Sequence, residues 1–138
     1  MSIKFPPYTG MILRCDFSGL KSPEMVKIRP VLVISPRPER LNKKTCIVVA
    51  LSTTTPDPIE RYHLKIELPN KLPDNLSREC WIKGDMIYSL SFERMDLYRY
   101  ARDHEGKRKY YYDRVSADII QKARKAVAYA IGVPLYME

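Results

Sequence analysis

The chain has 138 residues, of which 45% are hydrophobic and 29% charged, the length and composition of one globular domain with a single core. No apolar run approaches the ~20 residues of a membrane span, and the start from Met1 to Pro7 carries no apolar signal-peptide core, so a cytoplasmic protein is expected. Lys and Arg number 24 against 16 Asp and Glu, a net charge of +8 that favours a polyanionic partner such as nucleic acid or an acidic protein.

Residues 1–9 read as an extended arm, since Pro6, Pro7 and the following Gly10 oppose regular structure. Met11 to Phe17 reads as the first strand. Ser18 to Ile28 is a long loop rich in Lys, Ser, Pro and Glu. The continuous apolar run from Val31 to Ser35, entered through Pro30, reads as a buried strand. Pro30 fits its first position, where no ladder donor is needed. Glu24, Lys27 and Arg29 are therefore expected on a loop at the mouth of a rigid sheet, where catalytic and binding groups are commonly mounted. On the same residues, Glu24 can simply neutralise Lys27 at the surface.

Pro36 and Pro38 stop this strand, and residues 37–44 form a basic connection that includes Lys43 and Lys44. Cys46 to Leu51 is an all-apolar, central strand. Ser52 to Pro58 is a turn-rich loop, broken by Pro56 and Pro58. Tyr62 to Leu68 alternates with period two, as a half-buried strand does. After a polar loop from Pro69 to Arg78, the stretches Cys80 to Lys83 and Met86 to Phe92 form one interrupted strand or two short ones. Gly84 and Asp85 mark the bend or bulge between them. Residues 99–114 stay open, because Tyr110 to Tyr112 suits either a strand or an early helical turn.

A helix is predicted over 116–132. Ser116 is its N-cap, Asp118 suits its positive end, and Ile120, Ala123, Val127, Ala130 and Ile131 keep helical spacing. Gly132 and Pro134 end it. Lys122, Arg124 and Lys125 are read as its solvated face. The sum is a single domain over 1–138, mainly β with α: a small, strongly curved barrel with a C-terminal amphipathic helix on one side. Cys15, Cys46 and Cys80 are too widely spaced for zinc, so they are read as buried free thiols of a reducing compartment, and no metal site is expected.

Four separated pieces carry a resemblance. They are Gly10 through Asp16; Glu24, Lys27, Arg29 and Pro30 ahead of an apolar strand; Ile47 through Thr53, a strand ending in hydroxyls, with His63 beyond; and Cys80 through Ile87 followed by Ser91 through Asp96. In this order, over roughly residues 10–132, the chain resembles the MazF/PemK family of toxins from bacterial toxin–antitoxin systems. The resemblance implies an SH3-like barrel of the MazF/CcdB type, a homodimer, and metal-independent cleavage of single-stranded RNA with no cofactor. It also implies an acidic antitoxin protein as partner, whose disordered segment would fold onto a basic groove. Within it, Arg29 matches the functional arginine and Glu24 the acidic residue ahead of it. Ser52 matches a threonine at the end of the next strand, with Thr53 beside it, and His63 matches a histidine of the loop-to-strand region.

Metal-free RNA cleavage uses the substrate's own 2′-hydroxyl, which attacks the adjacent phosphorus and leaves a cyclic phosphate and a 5′-hydroxyl. Arg29 suits the developing charge on the phosphate oxygens, because its planar fork grips phosphate in two places. A guanidinium keeps its proton, which excludes arginine as an ordinary base. Ser52 or Thr53 would donate to the same phosphate. Glu24 would accept the 2′-hydroxyl proton or orient Arg29, and His63 is either an acid–base group or an ordinary strand histidine. Lys27, Lys43, Lys44, Arg61 and Lys83 are candidates for backbone phosphates. Tyr62 and Trp81 are candidates for stacking a base, although the apolar surroundings of Trp81 suit core packing. The competing reading is a non-catalytic toxin or binding module of the same fold, either a CcdB-like gyrase poison or an RNA-binding protein.

Overall fold

A computed structural model describes residues 2–40, 42–73 and 77–134. Its strands are β1 (Ile12–Asp16), β2 (Ile28–Val33), β3 (Thr45–Ser52), β4 (His63–Glu67), β5 (Glu79–Ser91) and β6 (Met95–Asp96), followed by helix α1 (Ala117–Ala130). All six strands join one antiparallel sheet in the order β4-β5-β3-β2-β1-β6. The sheet is open rather than closed into a barrel: β4 and β6 are its two edges.

The apolar runs are continuous because Val31 to Val33 of β2 and Val48 to Leu51 of β3 are buried on both faces. Leu32 of β2 and Val49 and Leu51 of β3 enter one core with Ile82, Tyr98, Tyr111 and Ala123. Their sequence neighbours Val31, Val33 and Val48 enter a second core with Leu13, Phe17 and Met95. Among the described residues no polar or charged side chain is buried. The excess positive charge therefore lies on the surface. Cys15, Cys46 and Cys80 are free and buried, and burial pushes their thiols up to about 12, 11 and 12.

The interrupted strand is one element with a bulge. Lys83 pairs with Ala50 and Ile87 with Val49, so residues 84–86 have no partner on β3. Over this bulge lies α1. Ser116 caps the helix by accepting the Ile119 N–H, and Val133 N–H closes its far end on the Ala128 carbonyl at 2.9 Å, with Gly132 left-handed at φ 83. Ala123 and Ala126 are its buried positions, and Ile119, Ile120 and Val127 pack beside them. Small side chains let the helix come close. A Cβ added at Gly84 would lie 2.6 Å from the Tyr62 carbonyl oxygen and 2.9 Å from the Ala126 backbone. Lys122 pairs with Asp118 on the exposed face, whereas Arg124 reaches back to donate to the Ile34 carbonyl at 3.0 Å.

Residues 98–112, nearly all within the stretch 99–114 that the sequence leaves open, form a hairpin-like ribbon. Tyr111 N–H donates to the Tyr98 carbonyl, Tyr100 N–H to Lys109 and Asp103 N–H to Lys107, each at 2.9 Å. The Tyr111 hydroxyl anchors the ribbon by donating to the Asn70 carbonyl at 2.8 Å.

Candidate active site

The site grows from the ends of β2 and β3. These strands pair Val31 with Ala50, Leu32 with Val49 and Val33 with Val48. Continued two residues further, the same register sets Arg29 opposite Ser52, the last residue of β3. Arg29 is thus the second residue of β2, paired with Cys15 of β1, rather than part of a loop ahead of the strand. Pro30 also lies within β2. The ladder with β3 stops at Val31, so the absent N–H of Pro30 costs no bond on that side.

Around these strand ends opens a cavity of about 460 Å³. Arg29, Lys83, Ser52 and Thr53 supply its polar wall, and Met25 and Tyr98 add apolar surface. Among the described residues that line it, none is Asp, Glu or His. Two cations beside a row of hydroxyls, with no carboxylate among the described residues of the cavity wall, make an anion-binding site.

Lys83 and Ser52 are held by local structure. Lys83 directly precedes the bulge, and it pairs with Ala50 on one side and His63 on the other. The Ser52 hydroxyl oxygen accepts the Thr54 N–H at 3.1 Å, which fixes the turn after β3 and leaves Thr53 exposed. The loop before β2 is tied down at several points. The Tyr88 hydroxyl accepts the Met25 N–H at 3.0 Å, Phe17 N–H donates to the Lys27 carbonyl at 2.8 Å, and Arg94 donates to the carbonyls of Asp16 and Ser18.

Glu24 does not join this group. Its carboxylate accepts the Lys21 N–H at 2.9 Å and closes a small turn in the exposed loop, so it neither lines the cavity nor bonds Arg29. Lys27 is exposed at a left-handed φ of 67 and also lies outside the cavity. Lys43 and Lys44 precede Thr45, at the far end of β3 from Ser52, about 23 Å away along an extended strand.

His63 and Tyr62 line a neighbouring cleft of about 290 Å³ that shares Lys83 with the main cavity. The His63 Nδ1 accepts the Glu60 N–H at 2.9 Å, an orienting partner invisible in the sequence, and its ring meets Tyr62 at 4.7 Å. Asp57, Glu60 and Asp85 also line this cleft, so its charge opposes a phosphate. Burial pushes the Tyr62 hydroxyl up, and Asp85 and Glu60 add to the effect. Arg61 turns away to α1, donating to the Tyr129 hydroxyl at 3.0 Å with its guanidinium 4.0 Å from the ring centroid. Trp81 is half-buried and belongs to neither core; it pairs with Ser52 across β3.

Sequence reasoning missed Met25 and Tyr98 as lining groups. Neither carries a local signal; Tyr98 arrives through the pairing of β6 with β1 and its bond from Tyr111, and Met25 through its bond to Tyr88 and its packing on the second core. Among the described residues no three His, Cys, Asp or Glu side chains gather in a set that could hold a metal ion, and no helix is long and apolar enough to cross a membrane.

Comparison with known proteins agrees with this architecture. The fold is similar to MazF from Deinococcus radiodurans, with a TM-score of 0.62 at 17% identity, covering 91% of this chain and 96% of that one. It is also similar to an endoribonuclease from a mycobacterial species, solved in complex with its cognate antitoxin, with a TM-score of 0.60 at 19% identity over 94% of this chain and 98% of that one. A curated Escherichia coli K12 protein of uncharacterised role, YifN, is 29% identical over 126 residues, 77% of this chain and 80% of its own length. The family of PemK-like, MazF-like toxins of type II toxin–antitoxin systems matches residues 8–131. That match spans nearly the whole chain and includes every strand and the helix, and the protein belongs to this toxin family.

Proposed function

We propose that the protein is an endoribonuclease that cleaves single-stranded RNA without a metal ion, and that Arg29, Ser52, Thr53 and Lys83 form its phosphate site. The observation that carries this reading is the cavity at the ends of β2 and β3, lined by two cations and several hydroxyls with no carboxylate among the described residues. Such a wall suits a dianionic phosphorane far better than it suits a divalent cation. The endoribonuclease named among the similar folds supports the same activity.

The 2′-hydroxyl of the substrate attacks the adjacent phosphorus in line. The P–O5′ bond breaks as the new bond forms; the 2′-hydroxyl proton leaves to water and water returns a proton to the departing 5′ oxygen, giving a 2′,3′-cyclic phosphate and a free 5′-hydroxyl. Negative charge builds on the non-bridging oxygens, where the Arg29 fork and the Lys83 ammonium stabilise it. The Ser52 hydroxyl donates a hydrogen bond to the same phosphate in place of its long contact with the Thr54 carbonyl, its oxygen being held by the Thr54 N–H. Thr53 is the second donor. Stabilisation of charge, rather than removal of a proton by a carboxylate, lowers the barrier. The natural partner is an acidic antitoxin segment that covers the same basic surface, with the toxin acting as a homodimer in the cytoplasm, where its RNA is found.

The purified protein is expected to cut single-stranded RNA in excess EDTA, leaving cyclic-phosphate and 5′-hydroxyl ends, and to leave a strand with 2′-deoxyribose throughout intact. Uncut RNA from folded protein, or 5′-phosphate ends, would refute the reading. Ser52→Ala is expected to lower kcat/KM by about 10²-fold through loss of one donor, with Ser52→Thr close to the parent. Full activity in Ser52→Ala together with loss in Thr53→Ala would move the donor role to Thr53.

A further inference from the structure

We propose that bound RNA runs from the main cavity past Tyr98, over the β6 edge, and onto the outward face of the 98–112 ribbon, where Tyr110 and Tyr112 stack unpaired bases. This extends the ribonuclease reading and rests on it.

The clefts on this side form one path. Tyr98 lines both the main cavity and a second cleft of about 350 Å³, which also holds Arg14 and Arg99. Arg99 and Asp96 then line both that cleft and a third of about 320 Å³, which holds Lys4, Tyr110 and Tyr112. The path is short. β2, β1 and β6 are adjacent in the sheet, so about 10 Å separates the strand of Arg29 from the strand of Asp96.

The ribbon sorts its aromatic residues by alternation. Tyr98 and Tyr111 point into the core at 6% and 1% exposure, whereas Tyr110 and Tyr112 stand outward at 38% and 60%. The two outward rings lie 6.1 Å apart, tilted by 57°. Exposed aromatic rings flanked by cations are the means by which proteins hold single strands, since every base has a face to stack and every link a phosphate to neutralise.

Charge sets the direction. On the β6 side Lys4, Arg14 and Arg99 face one carboxylate, Asp96, and Arg99 engages that carboxylate at 2.6 Å. On the opposite side of the cavity the His63 cleft presents Asp57, Glu60 and Asp85. A polyanion leaving the cavity is drawn along the first path and repelled from the second.

The test compares randomised, fully 2′-O-methylated oligonucleotide pools of about four and about twelve nucleotides, bound to the full chain and read by fluorescence anisotropy. Cleavage of ordinary RNA in EDTA is followed in parallel. The double variant Tyr110→Ala, Tyr112→Ala is expected to bind the long pool roughly 10-fold or more weakly and the short pool as the parent does. The Tyr110→Phe, Tyr112→Phe pair, which keeps both rings, is expected to bind both pools normally, which separates stacking from damage to the ribbon. If the parent cuts RNA but the alanine pair binds the long pool unchanged, or loses both pools equally, the path is wrong and the ribonuclease reading stands. If the alanine pair keeps its RNA affinity and instead loses binding to a polyglutamate peptide or changes mass by light scattering, the surface serves a protein and the path is refuted. If the parent neither cuts nor binds RNA, both readings fall together.

Discussion

Replacing Arg29 with Ala is expected to lower RNA cleavage by about 10²–10³-fold, the loss found when one preorganised donor is removed from a developing oxyanion. The fold should be untouched. Arg29 is exposed, has a small place in β2 and enters neither core, so its removal leaves no cavity. The thermal midpoint should therefore stay with the parent while the single-turnover rate collapses. Arg29→Lys should fall between the two, because an ammonium keeps the charge but cannot grip two phosphate oxygens with one planar fork. A full rate in Arg29→Ala would remove this residue from the mechanism. A lowered midpoint would mean that the side chain holds the strand end and not the substrate.

Gly84→Ala is expected to be the most damaging small substitution outside the cavity. The added methyl would meet the Tyr62 carbonyl oxygen at 2.6 Å and the Ala126 backbone at 2.9 Å, and neither is the end of a flexible side chain. Relief requires either lifting α1 from β5 or breaking the bond from Gly84 N–H to the Tyr62 carbonyl, 2.9 Å long. Overpacking of this kind costs about 1–3 kcal/mol, a fall in thermal midpoint of several degrees for a domain of this size, roughly 3–5 °C per kcal/mol. Gly84→Val should cost more. Cleavage should fall as well, since Lys83 is the preceding residue. Chemical denaturation with an unchanged midpoint would refute the close helix contact.

Much of the fold is legible in the chain because its local signals agree with one another. The apolar run 46–51 marks β3, the alternation over 62–68 marks β4, and Ser116 with Gly132 brackets α1. The bulge is signalled by Gly84 and Asp85. Closure of the sheet is not legible, since it depends on whether β4 meets β6, two strands far apart in the chain. The start of β2 is misread for a physical reason. Pro30 argues for a strand beginning there, yet β1 alone pairs the residues before Val31, and a strand laddered on one side tolerates proline. In the candidate site, Arg29, Ser52, Thr53 and Lys83 converge because strand register brings them together. Glu24 lies only five places before Arg29 in the chain, yet a turn bonded through Lys21 carries it away. Lys43 and Lys44 lie away from the cavity for the same kind of reason: a basic pair in a connection says nothing about which end of a strand the connection occupies.

Burial on both sides leaves β2 and β3 without a polar stripe to mark which way is up. Sliding β2 by one place along its neighbour would exchange Val for Leu in each core, a nearly neutral trade, while swinging the Arg29 guanidinium to the far side of the sheet from Ser52. Alignment must then be enforced by features that do not repeat: a proline with no ladder bond to β3, and residues 84–86, without partners on β3, that lock β5 at a single offset. Insertions or deletions of one residue near these anchors should thus silence the protein while leaving it folded, a failure that substitution of cavity residues alone would never reveal.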